Sequence, residues 1–127
     1  MKKIVLISLL TIFSFSMLQA QNTSPQNMLR HVVMFGWKND TDTADIKKVV
    51  DAFRALPGKI SLIKALEWGT NNSPENLNQG LTHCFFLSFE SEKDRDAYLP
   101  HPAHKEFGAL LRPYLDKVVV VDYWVKE

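Results

Sequence analysis

Three segments of this chain carry apolar side chains on both of their alternating faces, and this pattern constrains the fold more than any other feature. The side chains of a strand alternate between two faces, so a strand that is apolar on both must be covered on both. Residues 30–38, 81–90 and 117–126 have this pattern, and the last is dominated by the valines from Val118 to Val121. We therefore predict three strands of a sheet whose two faces are both covered.

The segments after the first strand give the next elements. Apolar residues at helical spacing predict a helix over 46–56, ended by Pro57 and Gly58. A weaker strand is predicted over 61–68. Residues 69–80 are polar and turn-rich, so we predict a long loop before the next strand.

Two shorter helical segments precede the last strand. They are predicted over 91–99 and 103–115, and Pro100 and Pro102 interrupt the helix between them. The resulting order, β-α-β-β-α-β, predicts the ferredoxin-like α+β fold, an antiparallel sheet with strand order 4-1-3-2 and helices on one face.

Because this fold has helices for only one sheet face, the other apolar face needs a different cover. An open apolar face of this size is typical of an interaction surface. The simplest cover is a second copy of the chain, with two sheets closing face to face into a barrel. We therefore predict a homodimer with a dimeric α/β barrel.

Residues 1–20 have the pattern of a secretory signal peptide. Lys2 and Lys3 are followed by a mainly apolar run over 4–15, and Ala20 offers a small residue before a cleavage site. We predict cleavage after Ala20 and export to the periplasm or the medium, with no membrane span after cleavage. An uncleaved anchor is the alternative.

Residues 21–28 are polar and predict a flexible spacer, and residues 29–125 predict a single folded domain. The formal net charge is +1, and basic residues are mixed with acidic ones rather than clustered. This distribution is not that of a nucleic-acid binder. Cys84 is the only cysteine and lies in an apolar run, which favours a buried, inert thiol over a disulfide between protomers.

The chain has four histidines, and the predicted topology brings one of them close to a carboxylate. His31 begins the first strand and Asp122 lies near the end of the last, and these strands are predicted antiparallel neighbours. A carboxylate in an apolar strand is costly without a partner, and an imidazole can supply one. Pairing with His31, with another histidine, with Arg30 or with a backbone amide remain open alternatives.

A second group of polar residues lies in the segment from Tyr98 to His104. Its two prolines force a turn that could direct Tyr98, His101 and His104 into a cleft between helices and sheet. A structural turn with surface histidines is the alternative. The His101-x-x-His104 spacing alone does not predict a zinc site, because no further ligand is obvious.

Several short segments also follow one another in a distinctive order. They are His31-Val-Val-Met-Phe, Glu67-Trp-Gly, Glu75-Asn-Leu-Asn-Gln-Gly-Leu-Thr-His83, Phe89-Glu-Ser, Tyr98-Leu-Pro-His-Pro-Ala-His104 and Val121-Asp-Tyr123. Together they resemble the stress-responsive A/B barrel (Dabb) family over nearly the whole of the predicted domain. The resemblance implies a dimeric α+β barrel.

One plant branch of that family is a cofactor-free polyketide cyclase, and its functional positions correspond to five residues here. They are His31, His83, Tyr98, His104 and Asp122. The resemblance implies that His104, oriented by Asp122, is the general base and that Tyr98 stabilises an enolate. It implies a substrate-binding role for His83, and no cofactor or metal.

The chain departs from the cyclase at one position on the first helix. A tyrosine that lines the cyclase pocket corresponds to Phe53, which has no hydroxyl. We therefore expect a pocket for a small hydrophobic ligand, lined by Phe53 and Phe35 as well as by the polar residues. Two functions stay open: a stress-related binding protein, or a cofactor-independent cyclase or lyase acting on a small carbonyl compound.

Overall fold

Alternating apolar residues and two helix caps shape the folded part of the chain. The computed structural model describes residues 27–126, so the predicted signal peptide and most of the predicted spacer lie outside the described residues. Within them the chain forms four strands and four helices. In order these are β1 (Leu29–Trp37), α1 (Thr43–Arg54), α2 (Leu56–Lys59), β2 (Ala65–Thr70), β3 (His83–Phe89), α3 (Glu92–Tyr98), α4 (Pro102–Leu111) and β4 (Leu115–Trp124).

The four strands form one antiparallel sheet with the order β2-β3-β1-β4, which confirms the predicted order and the ferredoxin-like α+β fold. The register places His31 opposite Asp122 on β4 and opposite Leu87 on β3. Farther along β1, Phe35 lies opposite His83.

Local sequence explains where the two longer connections become helical. The Asp42 side chain accepts a hydrogen bond of 2.8 Å from the Asp45 amide and caps α1. Ser91 caps α3 in the same way, accepting from the Asp94 amide at 3.1 Å. Each cap satisfies an amide that would otherwise have no partner in the first turn.

The predicted end of the first helix is wrong. Helix α1 ends at Arg54, and Pro57 and Gly58 lie inside the short helix α2 rather than ending α1. Proline is accepted in the first turn of a helix because its missing amide hydrogen has no intrahelical partner there. Pro57 therefore fits within α2, where the sequence pattern suggested a break.

The core lies between the helices and one face of the sheet. It is formed by side chains from β1, β3 and all four helices with almost no exposed surface. The largest aromatic members are Phe35, Phe53, Phe85, Phe89 and Tyr98. Burying a large apolar side chain contributes about 1.5–3 kcal/mol, so this aromatic layer is a main source of stability.

The helices leave β4 uncovered, and its apolar side chains are half-exposed on both faces of the sheet. Val119 and Val121 face away from the helices, with 37% and 48% of their surfaces exposed. Val120 is on the helix side and is still 51% exposed. A row of half-exposed valines on an edge strand is typical of a surface that another chain covers.

Among residues 27–126, no helix has the length and apolar character needed to cross a membrane.

Candidate functional site

The structure brings His31 and Asp122 into direct contact. His31 is buried on the helix side of β1, and its Nδ1 lies 2.6 Å from Oδ1 of Asp122 on the neighbouring strand. A carboxylate only accepts hydrogen bonds, so Nδ1 carries the hydrogen and donates it. The neutral His31 ring then has its lone pair on Nε2. Of the partners left open for Asp122, the structure selects His31.

Asp122 has a second partner, which the sequence pattern did not reveal. Nη1 of Arg95, on α3, donates to Oδ2 of Asp122, and Nε of Arg95 donates to Asp96 at 2.7 Å. Hydrogen bonds to Asp96 and then to Asp122 raise the pKa of Arg95. His31, Asp122 and Arg95 therefore form a chain in which the carboxylate uses one oxygen for each neighbour.

Tyr98 lies beside this chain and is completely buried at the end of α3. Its ring meets His31 edge-on at a centroid distance of 5.8 Å and lies 4.3 Å from the ring of His104. Among the described residues its hydroxyl has no hydrogen-bond partner. Burial raises the pKa of Tyr98, so the phenol stays protonated. A buried hydroxyl without a partner is uncommon and is free to bond a ligand.

His104 does not contact Asp122 in the way that the family resemblance implies. Its Nδ1 lies 2.9 Å from the carbonyl oxygen of Leu99, in the turn between α3 and α4. The Asp122 oxygens instead contact His31 and Arg95. The expectation that Asp122 orients His104 is therefore corrected, although His104 keeps its contact with Tyr98.

His83 lies at the other end of β1, away from the His31 cluster. Its Nδ1 accepts a hydrogen bond of 2.9 Å from the indole Nε1 of Trp37. An indole can only donate, so neutral His83 carries its hydrogen on Nε2. Burial lowers the pKa of His83, which favours this neutral form.

Phe35 and Phe53, predicted to line the pocket, instead pack inside the core. Their rings meet edge-on at a centroid distance of 6.0 Å, and each also packs against Phe85 and Phe107. Both are about 1% exposed. Apolar periodicity predicts burial but cannot distinguish a pocket wall from a filled core, and here the four rings pack against one another.

A cavity of about 500 Å³ lies on the sheet face opposite the helices, under the loop from β2 to β3. Met34, His83, Cys84 and Val119 contribute to its wall. Two smaller cavities lie against α1 and between α2 and α4. Tyr98, His104 and Asp122 line none of these three.

Cys84 is half-buried beside that cavity rather than fully buried, because its side chain faces the uncovered side of the sheet. Burial and the nearby Glu67 carboxylate raise the pKa of the Cys84 thiol. A raised pKa keeps the thiol protonated and weakly nucleophilic.

His101 has a structural role in the described fold. Its Nδ1 accepts from the Ala103 amide at 3.1 Å and caps α4. Within residues 27–126, no group of three or more histidine, cysteine, aspartate or glutamate side chains is arranged to hold a metal ion.

The geometry therefore defines one small polar site in an otherwise apolar layer. A partly buried carboxylate that accepts from Nδ1 fixes the tautomer of the His31 ring and leaves Nε2 as its acceptor. A neutral phenol beside that ring can donate a hydrogen bond to a developing negative charge. Proton abstraction with stabilisation of an oxyanion is the chemistry that these groups support.

Comparison with known proteins identifies the family of this chain. The model of the stress responsive A/B barrel domain family matches residues 29–125. The chain therefore belongs to the stress-responsive A/B barrel family.

Two curated relatives align over 95 residues each. The stress-response A/B barrel domain-containing protein HS1 of Arabidopsis thaliana is 38% identical, and the alignment covers 75% of this chain and 87% of that protein. The olivetolic acid cyclase of Cannabis sativa is 27% identical, with 75% of this chain and 94% of the cyclase covered.

Two solved structures share the fold at similar identity. The hydroxynitrile lyase of Passiflora edulis has a TM-score of 0.75 at 27% identity, covering 81% of this chain and 97% of the lyase. A dimeric protein of unknown function from Bacteroides fragilis has a TM-score of 0.65 at 29% identity, covering 79% and 98%. The family thus includes relatives with cyclase and lyase activity.

Proposed function

We propose that this chain is a cofactor-independent cyclase or lyase of the stress-responsive A/B barrel family, acting on a small, mostly apolar carbonyl compound. The observation that carries the proposal is the 2.6 Å contact of His31 with Asp122, next to the buried hydroxyl of Tyr98 that has no partner. An oriented base and a free donor in one apolar site are what proton transfer next to a carbonyl requires.

In this proposal His31 is the base, and its Nε2 lone pair accepts the proton. For an aldol-type cyclisation the proton comes from the carbon beside a carbonyl, and the resulting enolate carbon bonds to a second carbonyl carbon of the same molecule. The alkoxide formed there then takes the proton back. The Tyr98 hydroxyl donates to the enolate oxygen while it is negatively charged.

The same groups suit cleavage of a cyanohydrin, the chemistry that the name of the Passiflora relative implies. His31 would take the hydroxyl proton, the bond to the nitrile carbon would break, and the cyanide would leave with that proton. The products would be an aldehyde or ketone and hydrogen cyanide. Both reactions place negative charge on one oxygen, so Tyr98 has the same task in each.

The test is turnover of two probes, a linear β-polyketone and an aromatic cyanohydrin, by the purified protein. His31→Gln should reduce the rate by on the order of 10²–10⁴, the usual range for loss of a general base. Tyr98→Phe should lower turnover more than binding, because its hydroxyl acts mainly in the transition state. The matched control is His101→Asn, which preserves the cap of α4 and should leave the rate unchanged.

A binding protein for a small hydrophobic ligand is the second candidate. The cavity of about 500 Å³ under the loop from β2 to β3 favours it, because this cavity can hold a ligand and none of His31, Tyr98 and Asp122 lines it. Saturable binding of the probes without turnover, unchanged by His31→Gln, would select this function and reject the enzyme.

We also propose that the protein is a homodimer joined through β4 and the sheet face opposite the helices. The half-exposed valines of β4 and the dimeric Bacteroides relative support this proposal. Light scattering should give twice the mass of one chain. Val121→Lys should shift that mass toward the monomer, whereas Leu99→Lys, a similarly exposed apolar position in the helical layer, should not. A monomeric unmodified protein would reject the dimer.

Export is a further part of the proposal, and the apolar run after Lys2 and Lys3 supports it. The intact mass of the protein recovered from the periplasm or the medium should correspond to a chain beginning at Gln21. A full-length product held in the membrane would reject cleavage after Ala20.

A further inference from the structure

Arg95 is the one charged side chain of the site that neither the sequence pattern nor the family resemblance singled out. It lies three residues before Tyr98 on α3, so the two side chains project from the same side of the helix. Its guanidinium reaches Asp122 across the gap between α3 and β4. The contact joins the helix that carries the phenol to the strand that carries the carboxylate.

The contact with Arg95 changes what Asp122 can do for a histidine. One carboxylate oxygen accepts from Arg95 and the other accepts from His31. His104 bonds to the Leu99 carbonyl instead. Asp122 thus accepts from Arg95 on one oxygen and from His31 on the other, and His31 is the histidine that it contacts.

Arg95 also changes the charge next to His31. An ionised carboxylate alone would favour the protonated imidazolium, which is useless as a base. The guanidinium offsets that negative charge from the far side of Asp122. The ionisable groups around His31 are Asp122 from β4, Arg95 and Tyr98 from α3, and His104 from α4 behind Tyr98, whereas β3 contributes the apolar Leu87 and Phe89.

We propose that Arg95 is a positioning residue that acts through Asp122: it holds the carboxylate in the orientation in which its other oxygen meets His31, and it offsets the negative charge beside that ring. His31 rather than His104 is then the histidine with a carboxylate partner. The catalytic consequence, a base oriented to accept a proton, rests on the proposed function. The geometric and electrostatic role of Arg95 does not depend on the proposed function.

The test is an NMR titration of the protein labelled with ¹⁵N in its histidines, with the resonances assigned by His31→Gln and His104→Gln. In Arg95→Gln, which keeps a donor but removes the charge, the midpoint of the His31 titration should move to higher pH, because the Asp122 carboxylate is then no longer offset. Arg95→Lys should restore most of the original midpoint. The His104 midpoint should stay in place in both variants, and Arg112→Gln, an exposed arginine on the other helix, is the control.

A milder variant should move the His31 midpoint in the opposite direction. Asp96 is the exposed second partner of Arg95, so Asp96→Asn should leave the guanidinium wholly to Asp122. The His31 midpoint should then move slightly to lower pH. This variant changes only a surface carboxylate and keeps the proposal testable if Arg95→Gln does not fold.

An unchanged or lowered His31 midpoint in Arg95→Gln would overturn the inference, as would a shift confined to His104. The outcome is separable from that of the proposed function. If His31→Gln keeps full turnover while Arg95→Gln still moves the His31 midpoint, the proposed base is wrong and the positioning role stands. If His31→Gln removes turnover while the midpoint does not move, the base stands and the role of Arg95 is rejected.

Discussion

Removing the hydroxyl of Tyr98 should stabilise this protein, although most changes in a core destabilise. The hydroxyl is fully buried and has no hydrogen-bond partner among the described residues. Burying such a group without a bond costs about 1–3 kcal/mol by protein mutational data. Against this, the void left by one oxygen costs only a few tenths of a kcal/mol, at about 24 cal/mol per Å³ of cavity. Tyr98→Phe should therefore raise the free energy of unfolding by about 1–2 kcal/mol.

For a domain of this size, each 1 kcal/mol corresponds to a rise in melting temperature of about 4–8 °C. Thermal and urea unfolding at one fixed protein concentration would measure it, since an oligomer melts in a concentration-dependent way. The comparison variant is Tyr114→Phe. The Tyr114 hydroxyl bonds to Asp45, so its removal should not stabilise the protein. A Tyr98→Phe protein that loses 1 kcal/mol or more would show that the hydroxyl is bonded in the free protein, and the argument that it is reserved for a ligand would fail.

Three further predictions concern stability. Gly36→Ala should lower the free energy of unfolding by about 1–3 kcal/mol, because a Cβ there would lie 2.7 Å from the Gly80 carbonyl oxygen and the backbone must shift. Gly108→Ala, with open space around it, should instead raise that free energy by up to about 1 kcal/mol, measured by urea unfolding. Burial lowers the pKa of His83, so folding disfavours its protonated form, and the stability should fall as the pH drops below about 6.5. In His83→Gln, unfolding curves measured across this pH range should show a smaller loss of stability. Asp42→Ala removes the cap of α1 and should cost about 1 kcal/mol by the same measurement.

The fold could be predicted from the sequence because its main signals are periodic and mutually consistent. The same reasoning predicted that His31 and Asp122 lie close together, since antiparallel neighbouring strands bring the start of one next to the end of the other, but it left the partner of Asp122 open. This required only topology and the cost of an unpaired carboxylate in an apolar strand.

Arg95 was missed for a physical reason. It lies in a run of five charged residues, 92–96, and such a run is usually a solvated helix face. Nothing in the local pattern distinguishes the one side chain that turns inward, although its position three residues before the buried Tyr98 was a usable signal. Phe35 and Phe53 show the converse limit: their burial was predictable, whereas whether they faced a ligand or each other depended on how the rings of four separate elements pack.

Strand β4 links the proposed site to the proposed dimer through its register. Asp122 points to the helix side, toward His31, while its neighbours Val121 and Tyr123 point to the opposite face. Because side chains alternate along a strand, a slip of one residue would turn Asp122 away from His31 and place Val121 or Tyr123 opposite it. The register of β1 with β4 therefore determines both the position of the Asp122 carboxylate and the side of the sheet on which the apolar side chains lie. A partner that covers the valines of β4 would hold this register, so loss of the dimer should loosen the His31–Asp122 contact even though no residue of the site is changed.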